Sequence, residues 1–137
     1  MVNVAILGFG TVGSGVAEVI HKNGQHISEK VANQVNLKYI LDIRDFPESM
    51  FADKVIHDFS VIEQDPEVDV VVETIGGVEA AYEYTKRALQ AGKHVVTANK
   101  AVISAYYPEL TGLARECGVS LRCTAAVGGG IPWLTNL

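Results

Sequence analysis

The chain has 137 residues, is 48% hydrophobic, and carries a formal net charge of −5 with only two cysteines. That length fits one domain around one sizeable core. The acidic balance lacks the basic footprint of nucleic-acid binding through phosphates, and no apolar run approaches the ~20 residues of a membrane span.

The amino terminus, MVNVAILGFG, has no basic leader and its apolar run breaks at glycine, so Val2 to Leu7 reads as a buried strand rather than a signal. Val12, Val16, Val19 and Ile20 then recur at helical spacing until Asn23 and Gly24 offer a stop. Asn36 to Ile43 is rich in strand formers, Val55 and Ile56 read as a short third strand, and Asp58 to Gln64 reads as a minor helix. Arg44 to Lys54 reads as a loose connection within the domain.

Val68 to Ile75 is apolar nearly throughout, the pattern of a strand covered on both faces of a parallel sheet. In the helix that follows, Val78, Ala81, Tyr82, Thr85, Ala88 and Leu89 share one face, Glu83 and Arg87 stand as an i,i+4 pair on another, and Gly92 supplies a left-handed exit. His94 to Thr97 resumes as strand. A helix opening at Pro108 buries Leu110, Leu113, Ala114 and Cys117 and ends at Gly118, and Val119 to Val127 forms the last strand. Strands alternating with helices require right-handed crossovers, hence a doubly wound, mostly parallel sheet: an α/β Rossmann fold spanning residues 1–137 as a single domain.

Gly8, Phe9, Gly10, Thr11, Val12 and Gly13 fit G-x-G-x-x-G between strand and helix. Gly8 permits the tight turn, Gly10 lets backbone approach a pyrophosphate, Gly13 allows close helix–strand packing, and the helix amino terminus favours the anion. After the second strand, Asp42 stands where a carboxylate accepts from an adenosine ribose and Arg44 where a guanidinium meets a 2′-phosphate, so the pair points to both NAD and NADP. A solvated loop charge is the alternative for each.

In an open parallel sheet, ligands lie outside the carboxyl ends of the strands. Four such ends carry unusual residues: Gly8 to Gly13; Thr74, Ile75, Gly76 and Gly77; Ala98 to Lys100; and Gly128 to Pro132. If they converge, Lys100 is an ammonium facing a bound cofactor, able to attract a carboxylate or polarise a carbonyl oxygen during hydride transfer. A solvated lysine at a helix start is the alternative.

The histidines form no ligand set by spacing, and Cys117 and Cys123 read as core residues on an apolar helix face and in a buried strand. Two such thiols fit a reducing compartment, so a cytoplasmic protein is expected. Tyr82, Tyr84, Tyr106 and Tyr107 lack basic interleaving and read as packing rather than base stacking.

The segments GFGTVGSG, VVETIGGVEAAYEYTKRALQAGKHVVTANKA and AAVGGGIP, in this order, resemble the nucleotide-binding domain of homoserine dehydrogenases over nearly the whole chain. The resemblance implies an enzyme that interconverts homoserine and aspartate semialdehyde with NAD or NADP. It places Lys100 by the nicotinamide in substrate binding or catalysis, Gly8 to Gly13 on the pyrophosphate, Thr74 and Ile75 along the cofactor, and Arg44 at the NADP phosphate. It also implies a monovalent cation such as sodium held by the carbonyls of Thr124, Val127, Gly129 and Ile131, although Thr124 stands where the family usually has glutamate and Trp133 where it has an aliphatic residue.

Family members continue beyond GGGIP into a substrate and dimerisation domain with a second catalytic lysine. The chain is therefore expected to be a cut cofactor domain, nearly inactive alone, from an enzyme that is a homo-oligomer at full length. Another amino-acid dehydrogenase and a free-standing NAD(P) sensor are the rival readings. A cut domain would expose an apolar patch around Ile131 to Leu137 that a sensor would lack.

Overall fold

The computed structural model describes residues 2–27 and 35–123. Strands β1 (Val2–Leu7), β2 (Val35–Leu41), β3 (Val55–Ile56), β4 (Val70–Glu73), β5 (His94–Thr97) and β6 (Leu121–Cys123) alternate with helices α1 (Thr11–Ile27), α2 (Phe59–Glu63), α3 (Glu79–Gln90) and α4 (Lys100–Cys117). The strands form one sheet in the order β3-β2-β1-β4-β5-β6, with every pairing parallel. This is the Rossmann order, and its reversal point lies between β1 and β4.

The alternation along β1 shows why helices are needed on both faces. Val4 and Ile6 enter one apolar cluster with Val16 and Ile20 of α1, whereas Ala5 and Leu7 enter another with Ile62, Leu89 and Leu110 from the remaining helices. All four strand residues are fully buried.

The sequence expectations miss at several boundaries. Helix α1 continues past Asn23 and Gly24 to Ile27. Helix α4 begins at Lys100, eight residues before the expected start at Pro108. Asn99 caps it, its side chain accepting from the N–H groups of Ala101 and Val102, and Pro108 sits inside the helix behind a break at Tyr106 (φ −129°, ψ 22°). The break divides α4 into two helical runs, and Pro108 stands in the first turn of the second, as expected, where its missing N–H costs no intrahelical bond; the run that begins at Lys100 is the part not foreseen.

Other side chains differ too. Cys123, expected in the core, is exposed on β6. Arg87 pairs with Glu63 of α2 at 2.7 Å, tying two helices together, instead of with Glu83 one turn away. Lys93, only 3% exposed, donates from Nζ to the carbonyls of Asp65 and Val68. Burial lowers its pKa.

Candidate functional site

The sheet register puts one row of residues across the carboxyl edge. Ile56, Leu41, Leu7, Glu73 and Thr97 pair in sequence from β3 to β5. The residues just beyond them, His57, Asp42, Gly8, Thr74 and Ala98, therefore open the loops side by side over roughly 19 Å at the usual strand spacing. The backbone continues this row past the sheet: Asp42 N–H donates to Ile56 O, Gly8 N–H to Leu41 O, Thr74 N–H to Leu7 O and Ala98 N–H to Glu73 O. The convergence expected of these loops is thus built from pairing between neighbours.

The glycine turn is fixed from below. Gly8 has φ +92°, which side chains rarely adopt. A Cβ on Gly13 would lie 1.9 Å from the carbonyl oxygen of Gly8, so α1 can reach β1 only with glycine there. Gly10 differs, since its added Cβ would meet nothing within 4 Å; protein packing does not require glycine at this place, and the backbone is left open to a ligand. Phe9, between them, is buried edge-on against Phe46 at 4.9 Å and anchors the turn. Thr11 and Val12 are exposed at the start of α1, whose first turn carries no acidic group to repel an anion.

Asp42 and Arg44 meet. The Asp42 carboxylate accepts from Arg44 Nε and Nη2, both at 3.0 Å, from Arg44 N–H at 2.9 Å and from Phe9 N–H at 2.8 Å. These donors, Arg44 foremost, hold its pKa down to about 2 against the opposing effect of burial. Asp42 therefore locks the glycine turn to the end of β2 and orients Arg44, which is itself 60% exposed. The two residues, read from sequence as alternative ligands, form one unit.

On the other side of β1, Thr74 Oγ1 donates to the carbonyls of Leu7 and Gly8. Two further groups escaped the sequence reading. Glu73 is fully buried and accepts from Ile75 N–H and from Thr97 Oγ1, both at 2.6 Å. Burial raises its pKa, and those two donors oppose the rise. Asn99, besides capping α4, donates to the carbonyls of Ile75 and Gly77, and its N–H donates to Thr97 Oγ1. Glu73, Thr97 and Asn99 thus bind the β4 loop to the β5 loop. A lone acid in a valine run and an asparagine at a strand–helix junction were the available signals. Lys100 follows directly, exposed at the first residue of α4.

A cleft of about 400 Å³ opens over β1, β2 and β4. Gly8, Gly10, Asp42, Arg44 and His57 form its polar wall, and Ile43, Ile75, Ala80 and Tyr84 its apolar wall, with Thr74 and Gly76 also lining it. Ile43 is 95% exposed, an apolar side chain held out over the opening. Gly13 lies beneath the turn rather than in the cleft, and Lys100 lies beyond its β4 end. A second depression of similar volume sits at the opposite sheet edge. Its polar groups are already engaged: Lys93 by carbonyls, Asp69 by Asn3 N–H and His94 by Ser120 N–H. Thr124, Val127, Gly129, Ile131 and Trp133 lie outside the described residues.

Among the tyrosines, Tyr82 stacks on Tyr106 at 4.0 Å and Tyr84 on Phe59 at 4.7 Å, as packing partners. Among the described residues no helix is long and apolar enough to cross a membrane.

A glycine turn at the reversal point of a parallel sheet, open to a ligand at Gly10 and flanked by a charged and an apolar wall, defines a dinucleotide-binding α/β domain. Comparison with known proteins narrows the class. The family model for "Homoserine dehydrogenase, NAD binding domain" matches residues 8–124, and the chain belongs to that family. It is 41% identical to homoserine dehydrogenase of Bacillus subtilis (strain 168), over 99% of this chain and 32% of that protein. It is also 41% identical to that of Pseudomonas aeruginosa, over 96% of this chain and 30% of that one. A crystal structure of S. aureus homoserine dehydrogenase superposes with a TM-score of 0.81 at 35% identity, covering 90% of this chain and 32% of its own. The chain thus spans about a third of the length of these relatives.

Proposed function

We propose that this domain binds NADP or NAD with the pyrophosphate over the Gly10 turn, the adenosine toward Asp42 and Arg44, and the nicotinamide toward Lys100. The observation that carries this reading is the row His57, Asp42, Gly8, Thr74 and Ala98 along one sheet edge, with Gly10 open above it. The apolar wall of Ile43, Ala80 and Tyr84 suits an adenine ring.

In an enzyme of the relatives' length, the domain would serve the interconversion of homoserine and aspartate semialdehyde. The cofactor, when bound, supplies or accepts the hydride. Lys100 is assigned to the reacting end, where its ammonium attracts a substrate carboxylate or steadies negative charge on a carbonyl oxygen. Asn99 fixes its place by capping α4 while holding the β4 loop. The reading extends to a cytoplasmic enzyme that forms homo-oligomers at full length. It also extends, on the resemblance of AAVGGGIP alone, to a monovalent cation such as sodium on the carbonyls of Thr124, Val127, Gly129 and Ile131.

The test is calorimetric titration of the chain with NADPH and with NADH, before and after Arg44→Ala. Charge-assisted hydrogen bonds contribute about 1.5–3 kcal/mol, so NADPH affinity is expected to fall about 10- to 100-fold while NADH changes little. Equal losses for both cofactors would remove Arg44 from the 2′-phosphate.

A further inference from the structure

We propose that His57 is a specificity-determining residue of the adenosine end: as an imidazolium it adds a second positive charge beside Arg44, and discrimination in favour of 2′-phosphorylated nucleotides weakens when the ring loses its proton. The proposal deepens the dinucleotide reading above and rests on it.

His57 is the first residue after β3, one strand over from Asp42, and it lines the cleft with Asp42 and Arg44. Its Nδ1 lies 2.6 Å from the carbonyl oxygen of Asp42 and its Nε2 lies 2.9 Å from Oδ1 of Asp45. A carbonyl and a carboxylate can only accept, so satisfying both requires a proton on each ring nitrogen, which is the imidazolium. The Asp42 carbonyl first and the Asp45 carboxylate second raise the pKa of the ring above its ordinary value.

The charges around it give that proton its effect. With a neutral ring, the one cation, Arg44, is already paired with Asp42, and the Asp45 carboxylate bonded to the ring leaves this group of side chains net negative. With a protonated ring the wall balances. Asp58, the neighbour on the other side, is turned to the N–H of Ser60 at the start of α2. Asp45 is 82% exposed and the ring half-exposed, so Nε2 can exchange that carboxylate for a phosphate oxygen, whereas the Nδ1 bond to the backbone keeps the ring in place.

The sign follows from the direction of the shift. A raised folded-state pKa means the charge is fully present below the ordinary histidine value and disappears as pH climbs through the higher one. The 2′-phosphate has its own second ionisation near pH 6, so the comparison belongs above pH 7, where only the ring changes.

The experiment measures the affinity ratio of adenosine 2′,5′-bisphosphate to 5′-AMP by calorimetry at about pH 7 and about pH 9, for the wild-type chain, His57→Gln and His57→Lys. For an exposed ion pair the wild-type ratio is expected to fall about three- to fivefold with rising pH. His57→Gln should show the low ratio at both pH values and His57→Lys the high one, with the thermal unfolding midpoint of each variant as the control for folding. An equal decline in His57→Gln, or a flat wild-type ratio with 5′-AMP still bound, would overturn the role of His57 alone. Failure of both nucleotides to bind the wild-type chain would overturn the dinucleotide reading and this inference with it.

Discussion

Gly13→Ala is expected to destabilise the fold by about 3 kcal/mol or more, a large share of the ~5–15 kcal/mol that holds a typical domain. The added Cβ would stand 1.9 Å from the Gly8 carbonyl oxygen. That atom belongs to backbone, and Thr74 Oγ1 donates to it, so neither side can swing away as a flexible side chain would. Gly10→Ala is the matched control. Its Cβ enters open space, so stability should hold or even rise slightly through the lower entropy of the unfolded chain. Its nucleotide affinity should drop at least about tenfold, because the methyl group occupies the approach to the pyrophosphate. Urea denaturation and calorimetry on the two variants separate the roles. Wild-type stability in Gly13→Ala would mean that α1 does not press on the turn as described.

The second large effect concerns Lys100. In an enzyme of the relatives' full length built on this segment, Lys100→Met should lower turnover by about 100-fold or more, the scale of removing one preorganised group that stabilises developing charge. Dinucleotide affinity should stay nearly intact, since the cleft that holds the adenosine half is formed without Lys100 and Asn99, which places the loop, is untouched. A fall in turnover at saturating substrate, rather than a rise in KM alone, is the signature of an interaction made in the transition state. Unchanged turnover would leave Lys100 a solvated charge at a helix start.

Much of this site is legible in the sequence because it rests on glycine. The spacing of Gly8, Gly10 and Gly13 speaks for backbone geometry, and backbone geometry follows local sequence closely. The strands β1, β4 and β5 were equally plain, since a valine-rich run between turn signals has few other places to go. What stayed hidden depends on contacts between distant loops. Nothing in VVVETI says whether Glu73 turns inward; its burial follows from Thr97 arriving on the neighbouring strand with a hydroxyl to donate.

In sequence Asp42 and Arg44 point to different cofactors, and only the turn after β2, which folds Arg44 back onto the carboxylate, makes them one unit. The spacing of His57 in the sequence carries no ligand signal, and only the register of a two-residue strand sets it beside Asp42. Pro108 marks the first turn of the second run of α4, but the run before it starts from the cap at Asn99, nine residues upstream, which the proline signal hides.

The convergence of the strand ends on one bound dinucleotide can be tested in a single titration, by following the backbone amide signals of the chain as NADPH is added. Signals from Gly8 to Gly13, Asp42 to Arg44, Thr74 to Gly77 and Asn99 to Lys100 should move together with one dissociation constant. Movement confined to the opposite edge, around Asp69, Lys93 and His94, or movement at the glycine turn with Asn99 and Lys100 unaffected, would contradict it.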